Sequence, residues 1–234
     1  MREQLGWFDH AFGVVDRASA DAIGGSKLLR ELCLVTVRNA SAGAGSQGRY
    51  LQLPSSYLRF LAPGDEPGLG QGASGVRISS RTPEALRELD AVVGTSSPPD
   101  RRVLSVSATA AGEGERAARD AAYAGWLSDR GRGEGDGLRL LDVATIEICA
   151  PAQEIAPGVR LLEAAGFAVA ADGGTVTAYD GVVTLELRAS ESHGLRRIVF
   201  PLSQAPGQER AEQLGSSLLL LGPAATAVWE IPAV

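Results

Sequence analysis

Frequent breaks by glycine, proline and serine constrain this chain most, because they leave room only for short secondary-structure elements. The sequence has 29 glycines and 12 prolines among 234 residues. Between the breaks lie short runs that are rich in valine, isoleucine, leucine and phenylalanine, and many alternate apolar with polar side chains. That pattern is typical of β-strands with one buried face. Even the four-leucine run 218–221 is far too short to cross a bilayer.

The predicted elements recur in a fixed order, a strand followed by a helix and further strands, and this order is repeated four times. The predicted strands are 8–15, 32–38, 49–53, 57–61, 75–80, 102–108, 140–149, 167–171, 175–178, 182–188, 195–202, 217–221 and 225–231. The predicted helices are 16–30 with Asp16 or Ser19 as its cap, one that starts at Pro83 behind the cap Thr82, 153–165 and 207–214, while 112–126 is helical or irregular. The order predicts an α+β fold built from tandem βαβββ modules.

A polar, glycine-rich segment, DRGRGEGDG (129–137), divides the repeats into two pairs. It lacks the apolar periodicity that a packed element needs, so we interpret it as an exposed linker. We expect residues 1–128 to form one unit of two modules and residues 138–234 to form a second.

Charge and composition exclude several classes of partner. The formal net charge is −6, which gives no electrostatic reason to expect nucleic acid or an anionic membrane as a partner. The first ten residues lack a basic start followed by an apolar core, so we expect no signal peptide and a cytoplasmic protein. Cys33 and Cys149 match no metal-binding spacing, and we expect two buried free thiols. A monomer or a homodimer fits these observations equally well.

Three stretches resemble the vicinal oxygen chelate superfamily, which includes glyoxalase I, bleomycin-resistance proteins and extradiol dioxygenases. They are FDHAFGVVD (8–16), similar to the opening strand of that superfamily, VRLLEAAGF (159–167), similar to its helix end, and VVTLELR (182–188), similar to its closing strand. The resemblance implies that paired modules curve into cups. It also implies a divalent metal that is held by histidines and glutamates and stabilises an anion formed from two adjacent substrate oxygens.

In the first half, the resemblance places only one metal ligand. His10 falls on the first ligand position of the superfamily. Arg59 stands where a glutamate would be expected, and a cation there opposes a metal. The next opening strand offers only Ser74 or Gly75. His10 alternates with apolar residues, so a hydrogen-bonded pocket histidine remains the alternative to a ligand.

In the second half, the resemblance places Glu186 and Glu230 at the two glutamate positions, with Thr145 and Arg197 at the histidine positions. Two carboxylates can hold a hard cation weakly. Alternatively, Arg197 forms an ion pair that closes an empty cup. We expect both glutamates on adjacent strands and Arg197 in contact with at least one of them. Glu147 interrupts an apolar strand and is expected to face solvent or pair with an arginine.

Two classes of function remain open. The first is a protein that binds a small, partly apolar molecule in a cup without a complete metal site. The second is a lyase, isomerase or cyclase that acts on a carbonyl substrate through a partial metal site or acid-base residues. No cofactor is expected, although a divalent metal on His10, Glu186 and Glu230 remains possible. The candidates for lining the cup are His10, Arg59, Glu147, Glu186, Arg197 and Glu230.

Overall fold

The computed structural model describes most of the chain, namely residues 4–38, 47–80, 82–93, 103–110, 113–130 and 137–234. These residues form two large sheets and a few helices, which confirms the predicted α+β class with two tandem β-rich halves. None of the described helices combines the length and the apolar character that spanning a bilayer requires.

The first sheet contains six strands in the spatial order β2-β3-β4-β1-β5-β6. Its strands are β1 (Gly6–Val14), β2 (Leu34–Arg38), β3 (Gly48–Gln52), β4 (Tyr57–Leu61), β5 (Ser74–Ser80) and β6 (Leu104–Ala110). Its helices are α1 (Arg17–Gly25), α2 (Lys27–Leu32), α3 (Pro83–Val93) and α4 (Glu113–Arg130). The first repeat is therefore a complete βαβββ module, whereas the described part of the second is shorter and ends in α4.

The second sheet contains eight strands in the order β12-β13-β14-β11-β7-β10-β9-β8. Its elements are β7 (Thr145–Ala150), α5 (Ala152–Ala165), β8 (Ala168–Asp172), β9 (Thr175–Tyr179), β10 (Thr184–Ala189), β11 (Gly194–Pro201), β12 (Arg210–Leu214), β13 (Ser217–Gly222) and β14 (Thr226–Glu230). In both sheets the opening strands of consecutive repeats are central neighbours, β1 beside β5 and β7 beside β11.

The two sheets share one hydrophobic core. Buried residues of both halves form a single cluster, in which the rings of Phe60 on β4 and Trp229 on β14 lie 4.7 Å apart. Helix α5 of the second half packs on α3 and β6 of the first. Along β4, Leu58 and Phe60 point into this core, so Tyr57 and Arg59 point to the opposite face of the sheet.

Several local predictions are refined by the structure. The predicted helix 16–30 is two helices, because Ser26 ends α1 and its side chain caps α2 by accepting from the Leu29 amide. The predicted cap Asp16 is confirmed, since its side chain accepts from the Ser19 amide. The predicted helix 207–214 is wrong. Residues 210–214 form the edge strand β12, where pairing with β13 overrides a helix-favouring composition.

The predicted linker 129–137 is only partly covered by the described residues. Its first two residues end α4, and residues 131–136 lie outside the described part of the chain. The division into two units at this segment therefore stays a prediction. Cys33 and Cys149 are free and buried, as expected, and burial raises the pKa of the Cys33 thiol to about 12.

Candidate functional site

A β-bulge at Asp9 brings two neighbouring polar side chains to the same face of the first sheet. In a regular strand, consecutive side chains point to opposite faces. In β1, Phe8 pairs with Ile78 and His10 pairs with Arg77, so Asp9 is an extra residue in the ladder. Bulges of this kind re-aim side chains and are frequent beside active sites. Here the bulge lets both Asp9 and His10 line one small chamber.

Within this chamber, His10 is held between Asp9 and Tyr57. The Asp9 carboxylate lies 2.7 Å from Nδ1 of His10. On the neighbouring strand β4, Tyr57 is the register partner of His10, and the two rings are stacked with centroids 4.1 Å apart and 20° between planes. The Tyr57 hydroxyl lies 3.3 Å from Nε2 of His10. This is a long hydrogen bond, compared with the 2.7 Å contact at Nδ1.

Burial and charge set the protonation of the pair. Burial lowers the pKa of His10, the hydrogen bond and charge of Asp9 oppose this, and Arg77 and Arg119 add to the lowering. Burial of Asp9 would raise its pKa, but the hydrogen bond and charge of His10 and the charge of Arg119 outweigh burial, so the pKa of Asp9 is lowered. A carboxylate can only accept, so Nδ1 of neutral His10 carries the proton and Nε2 is the unprotonated nitrogen.

Three arginines give the chamber an excess of positive charge. Arg119 of α4 lies 3.4 Å from Asp9 and stacks over the Tyr57 ring at 4.7 Å. Arg77 and Arg116 also line the chamber from exposed positions, and neither forms an ion pair with a residue that the structure describes. Three guanidiniums against one carboxylate leave two positive charges around a neutral histidine. The chamber therefore favours an anionic occupant.

The chamber opens into a larger and more apolar cleft. The chamber has a volume of about 120 Å³ and is also lined by the hydroxyls of Ser79 and Thr109. The adjoining cleft of about 680 Å³ shares Trp7, Ser55 and Arg116 with it. The walls of the cleft also include five apolar residues and, around them, three acids: Leu5, Phe8, Ala85, Val182 and Val183, with Glu84, Glu88 and Asp180. Together they can hold a polar head and an apolar tail.

The second sheet does not assemble the expected glutamate pair. Glu186 and Glu230 lie on β10 and β14, which β7 and β11 separate, so the predicted adjacency is wrong. The opening strands occupy the centre of the sheet and place the closing strands on opposite sides of it. Arg197 is the register partner of Glu230 and of Glu147 but is exposed, and it forms no ion pair with any described residue. Glu147 pairs instead with Arg188, at 3.3 Å.

The described residues offer no group of three histidines, cysteines or acids that could hold a metal. The weak candidates do not converge, since His10 belongs to the first sheet and both glutamates to the second. A shallow hollow of about 490 Å³ on the second sheet is lined by two acids, Glu147 and Glu230, and two arginines, 196 and 197, so it has no excess charge.

Arg59 takes a structural role beside the chamber. Its guanidinium forms an ion pair with Glu66 at 2.7 Å and donates to the backbone oxygen of Gln47 at 2.8 Å. It also approaches the ring of Tyr50, with its guanidinium carbon 5.8 Å from the centroid. The positive charge of Arg59 is therefore already paired within the protein. Of the six cup-lining candidates, only His10 belongs to the chamber.

The comparisons with other proteins identify a family. A family model described as a family of unknown function, DUF5829, matches residues 8–93 and 107–231. The chain belongs to this family. No protein with a curated description matches it.

One solved structure shares the fold at low sequence identity, and a second aligns less well. The crystal structure of a hypothetical protein from Staphylococcus aureus aligns with a TM-score of 0.58 at 7% identity, over 92% of this chain and 98% of that chain. A fusion protein of a xylose isomerase-like TIM barrel and 4-hydroxyphenylpyruvate dioxygenase aligns with a TM-score of 0.49 at 12% identity, over 84% of this chain and 37% of that chain. At 7% identity the likeness to the Staphylococcus aureus protein concerns the fold alone.

Proposed function

We propose that this protein is a divergent member of the vicinal oxygen chelate superfamily that binds a small, partly apolar anion in the chamber around His10, without a metal. The superfamily assignment is supported by the strand order of both sheets, in which two opening strands meet at the centre and the remaining strands follow outward. It is also supported by the position of His10 on the opening strand β1.

The excess positive charge of the chamber carries the proposal. Arg77 is the register partner of His10, on the same face of the sheet, and its guanidinium has no acidic partner among the residues described. A carboxylate bound there would gain charge-assisted hydrogen bonds. An apolar tail would then extend past Trp7 into the larger cleft.

Titration calorimetry with acetate and 3-phenylpropionate tests this function. We expect tighter binding of 3-phenylpropionate, because each buried methylene contributes about 0.8 kcal/mol. We expect Arg77→Gln to weaken the binding of both anions about tenfold, since a hydrogen bond to a charged group contributes about 1.5–3 kcal/mol and the exposure of Arg77 places the effect at the low end. Arg197→Gln is the matched control, an exposed arginine on the second sheet. Equal loss of binding in both variants would refute the proposed site.

A second candidate function is a lyase, isomerase or cyclase that acts on a carbonyl substrate through acid-base residues. The Asp9–His10 pair favours it, because it puts an imidazole of fixed tautomer against the chamber. A substrate that binds and is converted, rather than bound and released unchanged, would distinguish the two functions.

A further inference from the structure

We infer that His10 is a proton acceptor for a small oxo-carboxylate bound in the chamber, with Asp9 as its positioning residue. This inference rests on the proposed anion-binding function and adds a reaction to it. The bound molecule would carry a carboxylate and a carbon–hydrogen bond next to a carbonyl group.

The orientation of His10 supports this role. Asp9 fixes the imidazole through Nδ1 at 2.7 Å and leaves Nε2 as the nitrogen with a lone pair. The stacked Tyr57 hydroxyl is hydrogen-bonded to Nε2 only at 3.3 Å, a long contact that a bound substrate can replace. His10 has no further hydrogen-bond partner among the described residues, although the side chain is only 9% exposed. A base that is held by a short bond at one nitrogen and by a long one at the other, against a chamber, is an arrangement that suits proton abstraction.

The charge of the chamber supports the choice of substrate. Asp9 neutralises one of the three guanidiniums, which leaves two positive charges for the occupant. One of them is matched by a carboxylate. The other is matched by the negative charge that develops on the carbonyl oxygen of a carbon acid when it loses a proton. The Ser79 hydroxyl on β5 is a further donor for that oxygen.

The step itself conserves atoms and electrons. The carbon–hydrogen bond breaks, and its proton forms a bond to Nε2 of His10. The electron pair stays on the substrate as an enolate, with its charge on the carbonyl oxygen near Arg116, while Arg77 holds the carboxylate. Asp9 stabilises the resulting imidazolium through Nδ1. Return of the proton to carbon restores the starting state, and in D₂O the returned atom is deuterium.

Proton NMR in D₂O tests the inference with pyruvate, acetoacetate and levulinate, whose carbonyl groups lie at different distances from the carboxylate. We expect the full chain to accelerate exchange at carbon for at least one of them over the buffer rate. His10→Gln should reduce the accelerated rate about 100-fold or more, while calorimetric affinity for that probe changes by less than about threefold, because the guanidiniums remain.

Asp9→Asn keeps the shape of the Asp9–His10 pair and is the second test variant, to be used if His10→Gln does not fold. It should slow the exchange and move the acid limb of its pH–rate profile to lower pH, because Asp9 raises the pKa of His10. A merely structural role for Asp9 would not move that limb. Binding without exchange, or exchange that survives in both variants, would overturn the inference and leave the proposed function standing. Failure of all three probes to bind would overturn the inference, and failure of 3-phenylpropionate as well would overturn both.

Discussion

The buried, neutral state of His10 predicts a specific dependence of stability on pH. Burial lowers the pKa of His10 in the folded protein below the ordinary value of 6.5. At a pH between the lowered pKa of folded His10 and 6.5, the unfolded chain binds a proton that the folded chain does not, so acidification favours unfolding. The free energy of unfolding should therefore fall as the pH drops below about 6.5. One proton corresponds to a slope of at most about 1.4 kcal/mol per pH unit.

The titratable and charged groups that face His10 determine the pH range of this effect. They are Asp9 on the same strand, Tyr57 on β4, Arg77 on β5 and Arg119 on α4. The pKa of Asp9 is lowered from 3.8, so its stabilising contribution is present above that pH and is lost only as the pH falls through the lower, folded value. Of these groups, His10 is the one whose lowered pKa makes the folded and unfolded chains differ in bound protons below about pH 6.5.

Denaturant titrations at several pH values from 5 to 7.5 measure this slope. His10→Gln should remove most of it, because glutamine does not titrate. His193→Gln is the matched control at the other histidine of the chain, which lies outside the chamber, and should retain the slope. A wild-type protein that gains stability on acidification in this range would refute the reasoning. It would mean that Asp9 holds His10 in the charged form.

Three further predictions concern metal content and packing. Elemental analysis of protein purified without chelators should give metal well below one equivalent, and His10→Ala should not change that content. A stoichiometric metal that is lost in this variant would contradict the prediction that the chamber binds no metal. Trp229→Ala should lower the free energy of unfolding by about 3–5 kcal/mol in denaturant titrations, since Trp229 is fully buried in the shared core, and probes in both halves should report one transition. Gly75→Ala should lower the free energy of unfolding by about 1–3 kcal/mol, because its new Cβ would meet a Phe12 ring carbon at 2.4 Å. Gly207→Ala is the control and should leave the free energy of unfolding unchanged in the same assay, because no atom lies within 4 Å of its new Cβ.

Most of the fold could be predicted from the sequence, because strand alternation and helix caps are local signals. The strand 57–61 was predicted with the bounds of β4, and Asp16 was predicted as a cap. The prediction failed where tertiary pairing decides. Residues 210–214 contain arginine, alanine, glutamate and glutamine, which favour a helix when isolated. They become a strand because β13 offers an unpaired edge beside them.

The site could be predicted only in part, because its geometry depends on a bulge. His10 was predicted from the opening strand, but strict alternation would have put Asp9 on the opposite face. Arg119 was also missed, since it reaches the chamber from α4, more than 100 residues along the chain. Arg77 can be recognised as a chamber residue only from the pairing of β1 with β5, which places it opposite His10. The glutamate pattern of the second half carried a clearer sequence signal than these residues, yet its members stay apart on the sheet. Proximity across strands therefore decides the chemistry here, and a one-residue change of register at Asp9 would remove its carboxylate from His10.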